Sequence, residues 1–454
     1  MSLTISERAA RFAAGLSLDD VPADVRSLTR LLILDCLGVA ARAAEFDFAA
    51  SVRKAVLRLG AGGDCRVIDA SLRTSPAWAA LLNGTLVHGL DFDDTHLRGV
   101  YHATAPALSA ALAMAEAEGA TGEQLLTSVV AGLEVGCRLA AAAPGEFADA
   151  GFHTTSVIGA FGAASAAGAM MGLDEGRLAN ALGIAGSQAS GILELGSWLK
   201  RIHAGWAAHG GIAACYLADE GFTGPRTVFE GDRGVFQGFA HHRLRPSDIS
   251  FGLDAKDWQI RDIRLKEFPC CQLLQAYVAA ALAVRRMANF DLRQVVAVHC
   301  PVDDRIRNSI CEPAAERVAP SSPYQALFSL QYSVALALVN GHVTLDSYHG
   351  PVDDPGEVSR IAGLVECPRG DSGYPDKLRG EIEVVLSSGE RLSWTVADSW
   401  GDPSRPVTAD DVIQKFVTNA VPVRGAAWAA RIVDLVMNLE RASCLDPVYE
   451  IEGH

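Results

Sequence analysis

Apolar residues recur at helical spacing through most of the first 250 positions. From Ala23 to Glu45 the stripe runs Val25, Leu28, Leu31, Leu32, Cys36 and Val39, the spacing of one helix face. Ser75 and Pro76 read as an N-cap and a first-turn proline, opening a helix toward His88. Thr121-Gly-Glu-Gln124 reads as a capping box for the next long helix. TTSVIGAFGAASAAGAMMGL, residues 154–173, carries no charge, yet its Ala, Gly, Ser and Thr are weakly apolar. That predicts a central buried helix closely approached by others, rather than a membrane span.

The pattern changes after Gly252. QVVAVHCP (294–301), LVECP (364–368) and EIEVVLSSGERLSWTV (381–396) read as strands, the last as a hairpin turning at Ser-Gly. QLLQAYVAAALAVRRM and ALFSLQYSVALALVNG between them read as helices, and Thr408 to Asn438 is helical again. The fold class expected is mainly α: a large all-helical domain over 4–264, a smaller α+β domain over 265–397, and C-terminal helices over 398–451 returning to the first.

Composition narrows the function classes. At 454 residues, two domains are the prior. A net charge of −15 argues against non-specific binding to nucleic acid or anionic membrane. Ten cysteines, scattered except for the neighbours Cys270 and Cys271, form no CxxC pair. Reduced thiols in a cytoplasmic enzyme are therefore expected. MSLTISERAARF lacks the charged-then-apolar layout of a signal peptide.

The densest chemistry lies in HGLDFDDTH, residues 88–96. If the helix begun at Pro76 continues, His88, Asp91 and Thr95 share one face. Three carboxylates at a helix C-terminus would then demand compensating cations or donors. A solvated acidic turn at Asp93 and Asp94 is equally open. DFDDT also fits the DxDxT loop of haloacid-dehalogenase-type phosphatases, but a helix precedes it where a buried strand is required. A metal cage is disfavoured, since His88 and His96 are eight apart without a HExxH-type partner. His102 and His153 each stand at the mouth of a buried helix, His102 before one starting near Pro106. Six lysines stand against 33 arginines, so Lys200 in GSWLKRIHAG and Lys266 in RLKEFPCC are notable. Lysine can release its proton when desolvated, whereas arginine cannot.

HGLDFDDTH, YHATAPALSAALAMAE, GFHTTSVIGAFGAASAAG, LANALGIAGSQASG, WLKRIHAGWAAHGG, GFTGPRTVFEG, LKEFPCC and FSLQYSVALALVNG occur in that order. Together they resemble the MmgE/PrpD family, which includes 2-methylcitrate dehydratase, cis-aconitate decarboxylase and iminodisuccinate epimerase. The resemblance spans residues 5 to 440. It implies a helical domain, an α+β lid, a homodimer and an active site between the domains, without cofactor or metal in the decarboxylase and epimerase. It marks Asp91, Thr95, His102, His153, Lys200, Lys266 and Tyr332 as site residues, with His203 and Cys271 as added substrate contacts. Under it, Lys200 and Lys266 hold carboxylates, and His102 and His153 form the acid–base pair. Asp91 orients His102 or a lysine, and Thr95 bonds substrate. Cys271 stands where the decarboxylase has a histidine, and Gln275 where many relatives have one. The loop from Thr95 to His102 is one residue longer than the decarboxylase's. The expected activity is a hydro-lyase on a small di- or tricarboxylate. Epimerase and decarboxylase are the alternatives within the family, and a carboxylate-binding scaffold is the alternative outside catalysis.

Overall fold

The computed structural model describes residues 3–60, 62–69, 71–194, 197–251, 257–350, 355–402 and 405–450. The chain forms two compact units: Met1–Ile263 with Thr408–His454, and Arg264–Val407. Residues 398–407 thus belong to the smaller unit rather than to the returning helices. Thr408 itself caps the first returning helix, Ala409–Arg424, in a capping box with Asp411.

In the larger unit, helices begin and end where local chemistry dictates. Thr121 accepts from the Gln124 amide while Gln124 reaches back, closing the capping box of Gly122–Ala141. That helix is long and apolar enough to cross a membrane, but 83% of its apolar window is buried in the protein. It also carries the buried Arg138–Glu134 ion pair. Pro76 opens Pro76–His88, although the Ser75 side chain makes no capping bond. The uncharged stretch is buried as expected, but it divides into Thr154–Val157 and Gly159–Met170. The unit is not wholly helical. Cys65–Arg66 and Arg73–Thr74 pair as a short antiparallel ribbon.

Pro76–His88 packs antiparallel on Leu199–Asp219, and glycine sets the distance. A Cβ on Gly84 would lie 2.7 Å from the Gly205 backbone, and one on Gly205 would lie 2.2 Å from the Leu81 carbonyl. Nothing larger fits at this crossing. His88 lies one turn past Gly84 along its helix, and His203 and Lys200 precede Gly205 on theirs. With about 1.5 Å of rise per residue, the crossing delivers these three side chains to the same end of the pair.

The smaller unit is α+β. Its four-stranded sheet has the order Val365–Glu366, Val295–His299, Gly380–Leu386, Arg391–Val396. The first pairing is parallel and the other two antiparallel. Gly380–Leu386 alternates buried and half-buried residues, as a strand covered on one face must. Its hairpin to Arg391–Val396 turns at Ser388-Gly389, where φ is +86° at glycine. Helices Gln275–Arg285 and Leu330–Asn340 pack with the sheet around one apolar cluster that includes Tyr277, Val298, Leu336 and Ile382.

Candidate active site

The helix begun at Pro76 ends at His88, so His88, Asp91 and Thr95 do not share a helical face. Asp91 takes φ +53°, uncommon for a residue with a side chain, and turns the chain sharply. The segment then folds inward. Asp93 and Asp94 are fully buried, which excludes the solvated turn. His96 and Tyr101 exchange backbone hydrogen bonds of 2.7 and 3.2 Å, closing the loop. His102 is thereby returned beside the aspartates, and its amide donates to Thr155 Oγ1 at 3.0 Å. The helix it precedes starts at Thr104, two residues before Pro106.

Each buried carboxylate has named partners. Lys200 Nζ donates to Asp91 Oδ1 at 2.5 Å, and His102 Nε2 lies 3.7 Å from the same oxygen. His88 Nδ1 is 2.9 Å from Asp93 Oδ2, and His102 Nδ1 approaches that oxygen to 3.3 Å. The Thr104 amide donates to Asp94 Oδ1 at 3.3 Å. The compensation that three carboxylates demand is therefore supplied, by His88, His102 and Thr104 within the folded segment itself and by Lys200 from a distant helix. His153 caps the Thr154–Val157 helix through its backbone only. Its ring meets His203, Nδ1 to Nδ1, at 3.0 Å. The rings of His88, His102 and His153 lie 4.5 to 5.9 Å apart by centroid.

Electrostatics separates the two adjacent aspartates. Burial pushes both carboxyls up, but the imidazoles of His88 and His102 outweigh it at Asp93 and hold that group well below its ordinary range. Asp94 lacks such partners, and burial beside Asp93 raises it to about 7. Burial lowers His102 and His203 to about 4 and His153 well below its ordinary value, with the Lys200 charge acting the same way on each. All three imidazoles are neutral near pH 7. Asp93, an acceptor only, receives the Nδ1–H of His88.

The larger unit thus brings together Asp91, His102, His153, Lys200 and His203. Thr95 is also buried there, its hydroxyl without a hydrogen-bond partner among the described residues. Lys266, Cys271 and Tyr332 belong to the smaller unit. Lys266 follows Ile263–Arg264 and is buried, Cys271 precedes the Gln272–Leu274 turn, and Tyr332 sits in the first turn of Leu330–Asn340. Gln275 is structural: its side chain bonds the backbone of Glu267, Phe268 and Cys270, fixing the KEFPCC turn.

Sequence reasoning missed His88 and Asp93 as members of the cluster. The signal was the density of HGLDFDDTH itself, obscured by carrying the helix too far. Lys415 was missed too. It donates to Asp35 at 3.0 Å and to the Phe92 carbonyl at 3.0 Å, and lies 3.8 Å from the Phe92 ring centroid, bracing the turn from behind. Nothing in its local sequence marks it, beyond the scarcity of lysine.

A cluster of imidazoles that burial keeps neutral, one buried ammonium and fixed carboxylates suits proton transfer on an anionic substrate. Three relatives carry matching names over most of their length. A cis-aconitate decarboxylase-like protein of Aspergillus oryzae is 28% identical, covering 94% of this chain and 93% of that protein. The cis-aconitate decarboxylase of Aspergillus terreus is 26% identical, covering 98% and 95%. The human cis-aconitate decarboxylase is 29% identical, covering 81% and 78%. Residues 7–246 match the MmgE/PrpD N-terminal domain and residues 268–441 the MmgE/PrpD C-terminal domain. This chain belongs to the MmgE/PrpD family.

Proposed function

We propose that the protein is a lyase acting on a small di- or tricarboxylate by proton transfer at a carbon next to a carboxylate. The observation that carries this reading is the buried array Lys200–Asp91–His102 with His153 beside it. Proton loss from such a carbon, or loss of CO₂ from it, leaves an enediolate-like charge. A fixed ammonium in a water-poor site stabilises that charge without reorganising. One imidazole, neutral, supplies the base, and the other, protonated as the substrate binds, supplies the acid. An arriving polyanion favours imidazolium and raises their pKa toward the working range.

Two lyase outcomes compete. In decarboxylation the C–CO₂ bond breaks, its electron pair stays on carbon, and an imidazolium protonates that carbon. In dehydration a C–H proton goes to the base, the pair forms the double bond, and hydroxide leaves as water with a proton from the acid. The relatives' names favour cis-aconitate decarboxylation as the first assay. Cys271, standing where the decarboxylase has a histidine, favours dehydration as the second reading.

The test incubates the protein with cis-aconitate, citrate and 2-methylcitrate in D₂O, following CO₂ release, alkene absorbance and deuterium uptake. Deuterium exchange without net product points to the epimerase alternative. No exchange, CO₂ or alkene from any of a broad carboxylate panel would leave only the binding-scaffold alternative. The family resemblance also makes a homodimer the expected assembly, which light scattering measures.

A further inference from the structure

Three imidazoles of the cluster reach it from three separate elements. His88 ends one helix, His102 closes a loop, and His153 precedes another helix. One nitrogen from each lies within 4.8 Å of the other two, and all three rings are buried. Two of their other nitrogens are already held. His88 Nδ1 faces Asp93 at 2.9 Å and His153 Nδ1 faces His203 at 3.0 Å. Asp93 also stands 3.3 Å from His102 Nδ1. A carboxylate or imidazole behind a histidine is the arrangement that orients metal-ligating rings. His88 Nε2 is buried with no hydrogen-bond partner among the described residues. Leaving such a nitrogen unmet costs about 1–3 kcal/mol, and a coordinated cation would meet it.

We propose that His88, His102 and His153 form a site for a divalent transition-metal ion of the Zn²⁺ or Co²⁺ kind, and that its occupation blocks the proton-transfer site. Imidazole nitrogen is a preferred donor for these ions, and three protein ligands leave a fourth position open. Asp91 and Asp93 against Lys200 leave the surroundings anionic, which favours a cation. Bonds of about 2.0–2.1 Å in a tetrahedron bring ligand nitrogens to about 3.3 Å, so the rings contract slightly around the ion. The ion takes the lone pairs that acid–base work needs, which makes it an inhibitor. The blocking clause rests on the proposed lyase reading, whereas metal binding does not.

Metal-stripped full-length protein titrated with CoCl₂ should bind one ion per chain, with the visible bands of tetrahedral cobalt, displaced by Zn²⁺. His153→Gln and Asp93→Asn should weaken binding by about 10–100-fold. His242→Gln, a surface histidine beside Glu146, should leave binding unchanged. Absence of cobalt bands in the wild type, or unweakened binding in both site variants, overturns the site. Should those variants not fold, X-ray absorption of the zinc-loaded wild type decides. Imidazole scattering supports the site, and a sulfur shell places the metal on cysteines instead. The titration reads metal alone, so it stands whichever way the lyase assay falls. Turnover lost to cobalt and restored by EDTA supports blocking, and full turnover with cobalt bound refutes it.

Discussion

Two buried lysine–aspartate pairs flank the HGLDFDDTH segment, and they are built differently. Lys415 is enclosed by Asp35, the Phe92 carbonyl and the Phe92 ring, with no histidine among those partners. Lys200 joins Asp91 in a region where His102 is 3.7 Å from the shared carboxylate and His153 and His203 feel the lysine's charge. The first pair holds backbone in place. The second holds a charge among imidazoles that burial keeps neutral. A buried ion pair is weak evidence for stability, and its surroundings tell which role it serves.

The largest expected effect separates the pairs by stability. Lys415→Met removes one partner of an enclosed pair and should cost about 3–5 kcal/mol in urea unfolding. Lys200→Met should cost clearly less, because His102 stands ready to pair with Asp91. Equal losses from the two variants would erase the distinction.

Activity should reverse the order. On the substrate found by the D₂O panel, folded Lys200→Ala should lose about a hundredfold in kcat/KM, equivalent to about 2.7 kcal/mol. Lys200→Arg sharpens this: retained activity means the lysine only clamps a carboxylate, and loss comparable to alanine means it also moves a proton. Unimpaired turnover in Lys200→Ala would make this pair structural as well.

Smaller effects follow from pH. Folded His102 and His203 titrate near 4, below the ordinary histidine value, so folding favours their neutral forms. Stability is therefore full above about 6.5 and is lost as pH falls toward their folded values. Asp94 has the opposite sign. Raised to about 7, it contributes stability below its ordinary value that is lost as pH rises through 7. Asp94→Asn should flatten the alkaline side of the urea-midpoint profile, and His102→Gln the acidic side. An unchanged profile in either variant contradicts the corresponding assignment.

The smallest effect is a control remote from both pairs. Thr121→Ala removes the capping box of Gly122–Ala141 and should cost about 1 kcal/mol without changing kcat/KM.

Much of this architecture was legible. Periodicity placed Ala23–Ala43, Pro76–His88 and the hairpin of Gly380–Leu386 with Arg391–Val396, since their burial patterns repeat within a few residues. Lysine scarcity was informative too, because Lys200, Lys266 and Lys415 are all buried. The turn after His88 was not legible. Helix propensity carries no record of a φ of +53° at Asp91, which the surrounding packing enforces. The burial of Asp93 and Asp94 was hidden for a related reason. Their partners His88 and His102 become neighbours only when the His96–Tyr101 bridge closes the loop.

The sequence by itself determined the two-part layout, the helical and strand segments, and the residue types from which the proposed acid–base site is built. Those are set by local periodicity, capping and side-chain chemistry. Tertiary structure decided which residues act together. The Gly84–Gly205 crossing brings His88, Lys200 and His203 to one end of two helices. The Asp91 turn buries the aspartates against them. Charges that would be ordinary in water form the proposed proton-transfer site there, because burial shifts their protonation and only partners brought together by the fold can balance it.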